Sequence, residues 1–112
     1  MIKGESFTKQ IKCKNIRFDN ATDIILICYF RHNRNKQIVF TKTAPNANYP
    51  KAYPLKKSTI KGYDLEVKML PEMTLDLPVG EYDCELKQII APQEIILKAK
   101  GFFMNLKETV TN

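Results

Sequence analysis

The run Ile24-Ile25-Leu26-Ile27-Cys28-Tyr29-Phe30 is unbroken by any polar residue, rich in β-branched and aromatic side chains, and only seven residues long. An apolar run this short fits a central strand covered on both faces better than a helix. Immediately after it, Arg31-His32-Asn33-Arg34-Asn35-Lys36 reads as a polar turn. Gln37-Ile38-Val39-Phe40-Thr41-Lys42 then returns with Ile38 and Phe40 on one face. The two segments predict a β-hairpin with a loop of about four to six residues.

Period-two alternation recurs outward from this hairpin, and helical periodicity is scarce. Upstream, Phe7, Ile11 and Cys13 share a face, although Lys9 falls on the same side. Downstream, Tyr63 to Met69 alternates cleanly and marks a strand with one wet face. Pro71 to Leu75 reads as one helical turn, with proline where its missing N–H costs nothing. Pro78-Val79-Gly80 is a tight turn, and Glu81 to Lys87 alternates with Tyr82, Cys84 and Leu86 inward. A turn at Ala91-Pro92-Gln93 leads to Glu94–Lys98. Gly101 then permits a bulge or bend before Phe102, Met104 and Leu106 line up on a last strand. Seven strands at intervals of about ten residues predict an all-β fold: an immunoglobulin-like two-sheet antiparallel β-sandwich. Its expected core is Phe7, Ile25, Ile27, Phe40, Leu65, Val67, Tyr82, Leu86, Phe102 and Met104.

Residues 43–62 interrupt the pattern. Pro45, Pro50 and Pro54 cannot donate to a ladder, so the stretch is expected to stay out of the sheets as a long projecting loop or insertion carrying Tyr49 and Tyr53. The whole of residues 1–112 is expected to be one domain, since 112 residues suffice for one core without disulfide or metal.

Composition is ordinary for a globular protein: 44% hydrophobic and 27% charged. The N-terminus lacks the apolar region of a signal peptide, and no run approaches the roughly 20 apolar residues of a membrane-spanning helix. Both features point to a protein made in the cytosol or assembled there into something larger. Cys13, Cys28 and Cys84 are odd in number and widely spaced, which fits small buried hydrophobes better than a disulfide framework. Charge is unevenly placed. Residues 1–62 hold 13 Lys/Arg against 3 Asp/Glu, a net of +10, and residues 63–112 hold 5 against 9, a net of −4. If folding preserved that separation, basic loops of one copy would face the acidic strand Glu81, Asp83 and Glu85 of a neighbour.

No catalytic pattern emerges. His32 is the sole histidine, so sites needing two imidazoles are excluded, and no cysteine stands near it to suggest zinc. Glu81, Asp83 and Glu85 alternate outward as a charged strand surface rather than a general acid/base pair. The four glycines are scattered and form no phosphate-binding loop. The chain is therefore read as non-enzymatic, without cofactor or metal. Arg31, Arg34 and Lys36, with Tyr49, Tyr53, Lys56 and Lys57 of the following loop, are the expected interface residues. The basic loop Arg31–Lys36 and the loop lysines Lys51, Lys56, Lys57 and Lys61 beside Tyr49 and Tyr53 also suit nucleic acid, and a small oligonucleotide-binding β-barrel is the alternative.

Three stretches together resemble a family. Gly4-Glu5-Ser6-Phe7 is similar to the G-D-[ST]-F opening of small immunoglobulin-like domains in tailed-phage structural proteins, such as the N-terminal domain of baseplate upper proteins and related fibre or head-accessory modules. Ala21-Thr22-Asp23-Ile24 resembles the A-T-[VI] approach to the hairpin. Leu65 to Asp83 resembles the family's strand, short helical turn ending in Thr74, L-P-x-G-x-Y turn (Leu77 to Tyr82) and strand. Gly101 to Met104 and Thr109 to Thr111 are similar to its last strand and tail. Residues 43–62 and the turn Ala91–Gln93 depart from the family. The resemblance implies a virion component, assembled in the host cytoplasm, that attaches to or connects other virion structural proteins or copies of itself. It implies no membrane, and makes nucleic acid the lesser partner.

Overall fold

The computed structural model describes residues 1–90 and 95–108. The turn at Ala91–Gln93 and the tail Thr109–Thr111 lie outside the described residues. The strands are β1 (Phe7–Ile11), β2 (Asp23–Phe30), β3 (Asn33–Thr41), β4 (Tyr53–Pro54), β5 (Lys56–Lys57), β6 (Leu65–Met69), β7 (Gly80–Ile89) and β8 (Ile95–Leu106). The only helical element among these residues is a 3-10 turn, Pro71–Met73. The fold is all-β, with two sheets in the orders β1-β6-β5 and β4-β3-β2-β7-β8. Every strand pair is antiparallel except β3–β4, which is parallel and two residues long.

The central strand is buried on both faces, as its composition requires. Ile24, Leu26 and Cys28 point into the core between the sheets, with Phe40 of β3, Leu65, Val67 and Met69 of β6, and Tyr82 and Leu86 of β7. Ile25, Ile27 and Tyr29 point the other way. They form a second cluster with Val39, on which Tyr49, Ala52 and Ile89 pack. Ile25 and Ile27 are therefore buried, but on the outer face of the larger sheet rather than between the sheets.

The stretch 43–62 does not project. Its first part lies over that outer face, held by the buried carboxylate of Asp23, which accepts hydrogen bonds from Thr43 N–H (3.1 Å) and the Asn46 amide. Its second part crosses from one sheet to the other: β4 pairs with β3, Leu55 is buried in the core, and β5 pairs with β6. Pro54 is tolerated in β4 because two residues on a sheet edge ask little of the missing N–H. The two short strands raise the count to eight, even though the strands expected around Ile95–Lys98 and Phe102–Leu106 are one strand, β8. The hairpin after β2 is also tighter than expected. Phe30 pairs with Asn33, so the turn is Arg31–His32, and a bulge at Tyr29/Phe30 absorbs the next residues.

Lys9 does not prevent β1 from forming. It pairs with Val67 in the ladder, and its ammonium donates to the Phe103 carbonyl while lying 4.6 Å from the Phe103 ring centroid. Its stem is thus half-buried while the charge finds an acceptor and an aromatic face. Phe7 on the same strand is only partly buried.

The main correction to the expected core lies in β8. Met104 pairs with Tyr82 and Phe102 with Asp83, so a bulge inserts Phe103 and shifts the alternation by one. Phe103, at 2% exposure, fills the core, and Phe102, at 57%, faces solvent. Phe103→Ala should cost about 3–5 kcal/mol and Phe102→Ala about 0.5 kcal/mol, read from urea denaturation midpoints. Equal effects would place the bulge elsewhere.

Tyr82 ties the turn before β7 to the core. Its ring is fully buried and its hydroxyl donates to the Pro78 carbonyl at 2.7 Å. Burial pushes the phenol up to about 12 from the ordinary 10.0. Because the folded chain holds this proton more tightly than the unfolded one, the associated stability is complete below pH 10 and lost as pH rises toward 12. Tyr82→Phe should lose about 1–3 kcal/mol at neutral pH, since the Pro78 carbonyl loses its partner. It should also show a smaller further loss on titration from pH 8 to 11.5 than the native chain.

Candidate interaction site

The seven residues expected at an interface separate into three places. Arg31 and Arg34 stand at the β2–β3 hairpin and are engaged within the chain. The Arg31 guanidinium reaches both Asp83 oxygens, at 3.0 and 2.8 Å, and pairs with Glu81. Arg34 pairs with Glu85 at 3.0 Å and lies 3.9 Å over the Tyr29 ring. The antiparallel return of β7 beside β2 brings the acidic alternation directly against this hairpin, because Tyr29 pairs with Asp83 and Phe30 with Tyr82. The outward carboxylates thus meet the basic hairpin of their own chain, and the expected meeting of these groups between neighbouring copies loses both partners.

Lys56 and Lys57 sit on β5 in the smaller sheet, where Lys57 pairs with Asp19 at 2.7 Å between two exposed side chains. Such a pair is worth little. Tyr49 and Tyr53 are partly buried: Tyr49 packs on the outer cluster, and Tyr53 against Phe40 at 6.0 Å between ring centroids. Neither ring stands free as a stacking platform.

What the structure does bring together is a groove of about 610 Å³ between β3 and the folded-back loop. It is lined on the strand side by Asn35, Gln37 and Val39, and on the loop side by Asn48, Tyr49, Lys51 and Tyr53. Lys36 stands in the strand between two of these lining residues. Of the seven expected residues, Tyr49 and Tyr53 line the groove and Lys36 borders it. Lys51 is among the loop lysines that the sequence offers to nucleic acid, whereas the amides Gln37 and Asn48 carry no such mark. The available signal was that residues 24–63 hold eight Lys/Arg and no Asp/Glu.

The thiols offer no nucleophile. Cys13, Cys28 and Cys84 are free. Burial pushes each thiol up, Cys28 most strongly, so the reactive thiolate is disfavoured. Cys28 and Cys84 are paired across β2 and β7. Among the described residues no group of three or more His, Cys, Asp or Glu is arranged to hold a metal ion, and no helix is long and apolar enough to cross a membrane.

In comparisons with known proteins, no family model, curated protein or solved structure matches the chain.

The hairpin pairing has an acid-side signature. The hydrogen bond from Arg31, and then its charge, hold the Asp83 carboxyl below the ordinary 3.8. A depressed carboxyl contributes stability above the unfolded value and loses it as pH falls through the folded one, so the loss lies below about pH 4. Arg31→Met should therefore shrink the drop in denaturation midpoint between pH 5 and pH 2.5. An unchanged drop would mean that the contact contributes nothing in solution.

Proposed function

We propose that the chain is a non-enzymatic assembly module of a tailed-phage virion, an immunoglobulin-like sandwich that joins capsid, neck, baseplate or fibre components. The fold part of this reading is supported by strand order. The order β4-β3-β2-β7-β8 is that of a variable-type C″C′CFG sheet and β1-β6-β5 that of BED, with the two-residue β3–β4 pair parallel where such sheets are antiparallel. Tyr82, near the start of β7 and two residues before Cys84, donates back to Pro78 as the tyrosine corner of such domains does. The virion part is supported by the resemblance of Gly4–Phe7, Ala21–Ile24 and Leu65–Asp83 to phage domains.

The observation that carries the function is an apolar strip on β8. Ile95 is 61% exposed and Leu97 53%, with the exposed Ile90 at the end of β7, and Phe102, 57% exposed, lies five residues further along the strand, past Lys98 and Lys100. Ile95 and Leu97 alternate on one face of the strand. Clustered exposed apolar side chains are costly in water and mark surfaces that another protein covers. A nucleic-acid reading is weakened because Arg31, Arg34 and Lys57 are engaged with carboxylates of the same chain and neither Tyr49 nor Tyr53 stands free to stack on a base.

The test is the composition of gradient-purified particles from the producing cells. Mass spectrometry should find the chain in them, and antibodies should decorate one location on the particle. A double variant, Ile95→Lys with Leu97→Lys, should keep the native denaturation midpoint and disappear from the particles. Absence of the native chain from particles would overturn the virion reading, and full incorporation of the double variant would remove the strip from it.

A further inference from the structure

The larger sheet ends on its β3 side with an edge that is only partly covered. In β3, Lys42 N–H bonds to Ile24 at 2.9 Å, facing β2, while the Thr41 carbonyl accepts Leu55 N–H at 2.8 Å, facing the other way. Alternation along an antiparallel strand then turns the N–H and C=O of Val39 and Gln37 outward as well. β4 covers only Phe40 and Thr41, and beyond Tyr53 the chain bends back through Ala52 and Tyr49 over the outer face. The Phe40–Tyr53 bridge engages the Val39 carbonyl with the Tyr53 N–H, so among the described residues the Val39 N–H and both backbone groups of Gln37 are left at the floor of the groove without a backbone partner on that side.

We infer that this edge is a strand-addition site, and that its occupant is an extended, carboxylate-bearing segment of a partner protein. The N–H and C=O of Gln37 and the N–H of Val39 would pair with such a segment, placed end-on to β4 in the row that β4 begins. Side chains alternating along the segment would fall to either side of the groove, on Tyr49 and Ala52 or toward Met73. Acidic character follows from charge. No carboxylate occurs from residue 24 to residue 63, and the ammonium groups of Lys36 and Lys51 make no ion pair or hydrogen bond among the described residues. Backbone pairing gives such a site its affinity and the flanking side chains its selectivity. The inference rests on the assembly reading only in taking the partner to be a protein. The site lies at the opposite edge of the sheet from the β8 strip, so either can fail alone.

The probe is the capped hexapeptide acetyl-Glu-Val-Glu-Val-Glu-Val-amide, titrated into the full chain to millimolar concentration while amide exchange is followed by NMR. Exchange at Gln37 and Val39 should slow in a saturable way, and the same peptide N-methylated at every residue should have no effect. Gln37→Pro removes one outward N–H at an edge position where proline is tolerated, and should weaken binding about five- to tenfold. Lys36→Glu with Lys51→Glu should weaken it at low salt, with the difference narrowing near 1 M, where screening reaches about 3 Å. Unprotected Gln37 and Val39 at saturating or millimolar peptide would overturn the inference. So would equal binding of the N-methylated peptide. Displacement of the peptide by an oligothymidylate ten-mer, with Gln37→Pro binding both as the native chain does, would reduce the groove to a general anion-attracting surface and overturn it too. If Gln37→Pro lowers the thermal midpoint, the N-methylated peptide on the native chain carries the comparison.

Discussion

Strand β2 has apolar side chains on both faces, and that requirement organises the molecule. Ile24, Leu26 and Cys28 need one covering layer and Ile25, Ile27 and Tyr29 another. The smaller sheet supplies the first. Among the described residues no further sheet or helix covers the other side; the connection after β3 is drawn over it, and Tyr49 and Ala52 pack there. Leaving those three side chains exposed would forfeit roughly 1.5–3 kcal/mol for each large one. Asp23 and Lys42 secure the arrangement with polar contacts at its rim. Asp23 accepts from Thr43 and Asn46, and the Lys42 ammonium donates to the Phe18 and Ala21 carbonyls at 2.6 and 2.7 Å.

Covering one face has a consequence at the edge. The connection must leave the β3 edge early to reach the outer face, and it returns only at Tyr53, so β4 is two residues long and the strand beyond it stays open. The far edge is treated differently. The chain start runs beside the end of β8, with Lys3 N–H donating to the Lys107 carbonyl at 2.9 Å and Lys107 N–H to the Met1 carbonyl at 2.8 Å. Gly4 N–H then donates to the buried Thr74 hydroxyl at 2.9 Å, fastening the same segment to the 3-10 turn. The rest of β8 carries its apolar strip outward. The sheet thus has one edge whose open groups are polar and flanked by lysine, and one whose exposed side chains are apolar.

Part of the charge asymmetry along the chain is met by pairing within the fold. β7 lies beside β2, and the basic hairpin following β2 therefore lands against Glu81, Asp83 and Glu85. The hairpin part of the basic excess is locally matched, and Lys36 and Lys51, which are not, stand at the groove. The surface field that a partner meets is set by which charges the topology leaves over.

The sequence by itself determined the strand class, the hairpin around Arg31, the turn before Tyr82 and the two-sided burial of β2, because each depends on local alternation, turn residues or a short apolar run. The inward alternation of Tyr82 and Leu86 was legible for the same reason. Tertiary structure alone decided three things. The bulge that exchanges Phe102 for Phe103 is set by pairing with Tyr82 and Asp83, and a one-residue slip leaves no mark in an apolar run such as Phe102-Phe103-Met104. Prolines in 43–62 describe where a ladder is interrupted, not what the segment lies upon, and the need to cover β2 brings it down onto the sheet. Arg31 looks solvated until β7 returns from fifty residues away. The groove belongs to this second category: Gln37, Val39, Tyr49 and Lys51 acquire a common role only when the connection folds back beside β3.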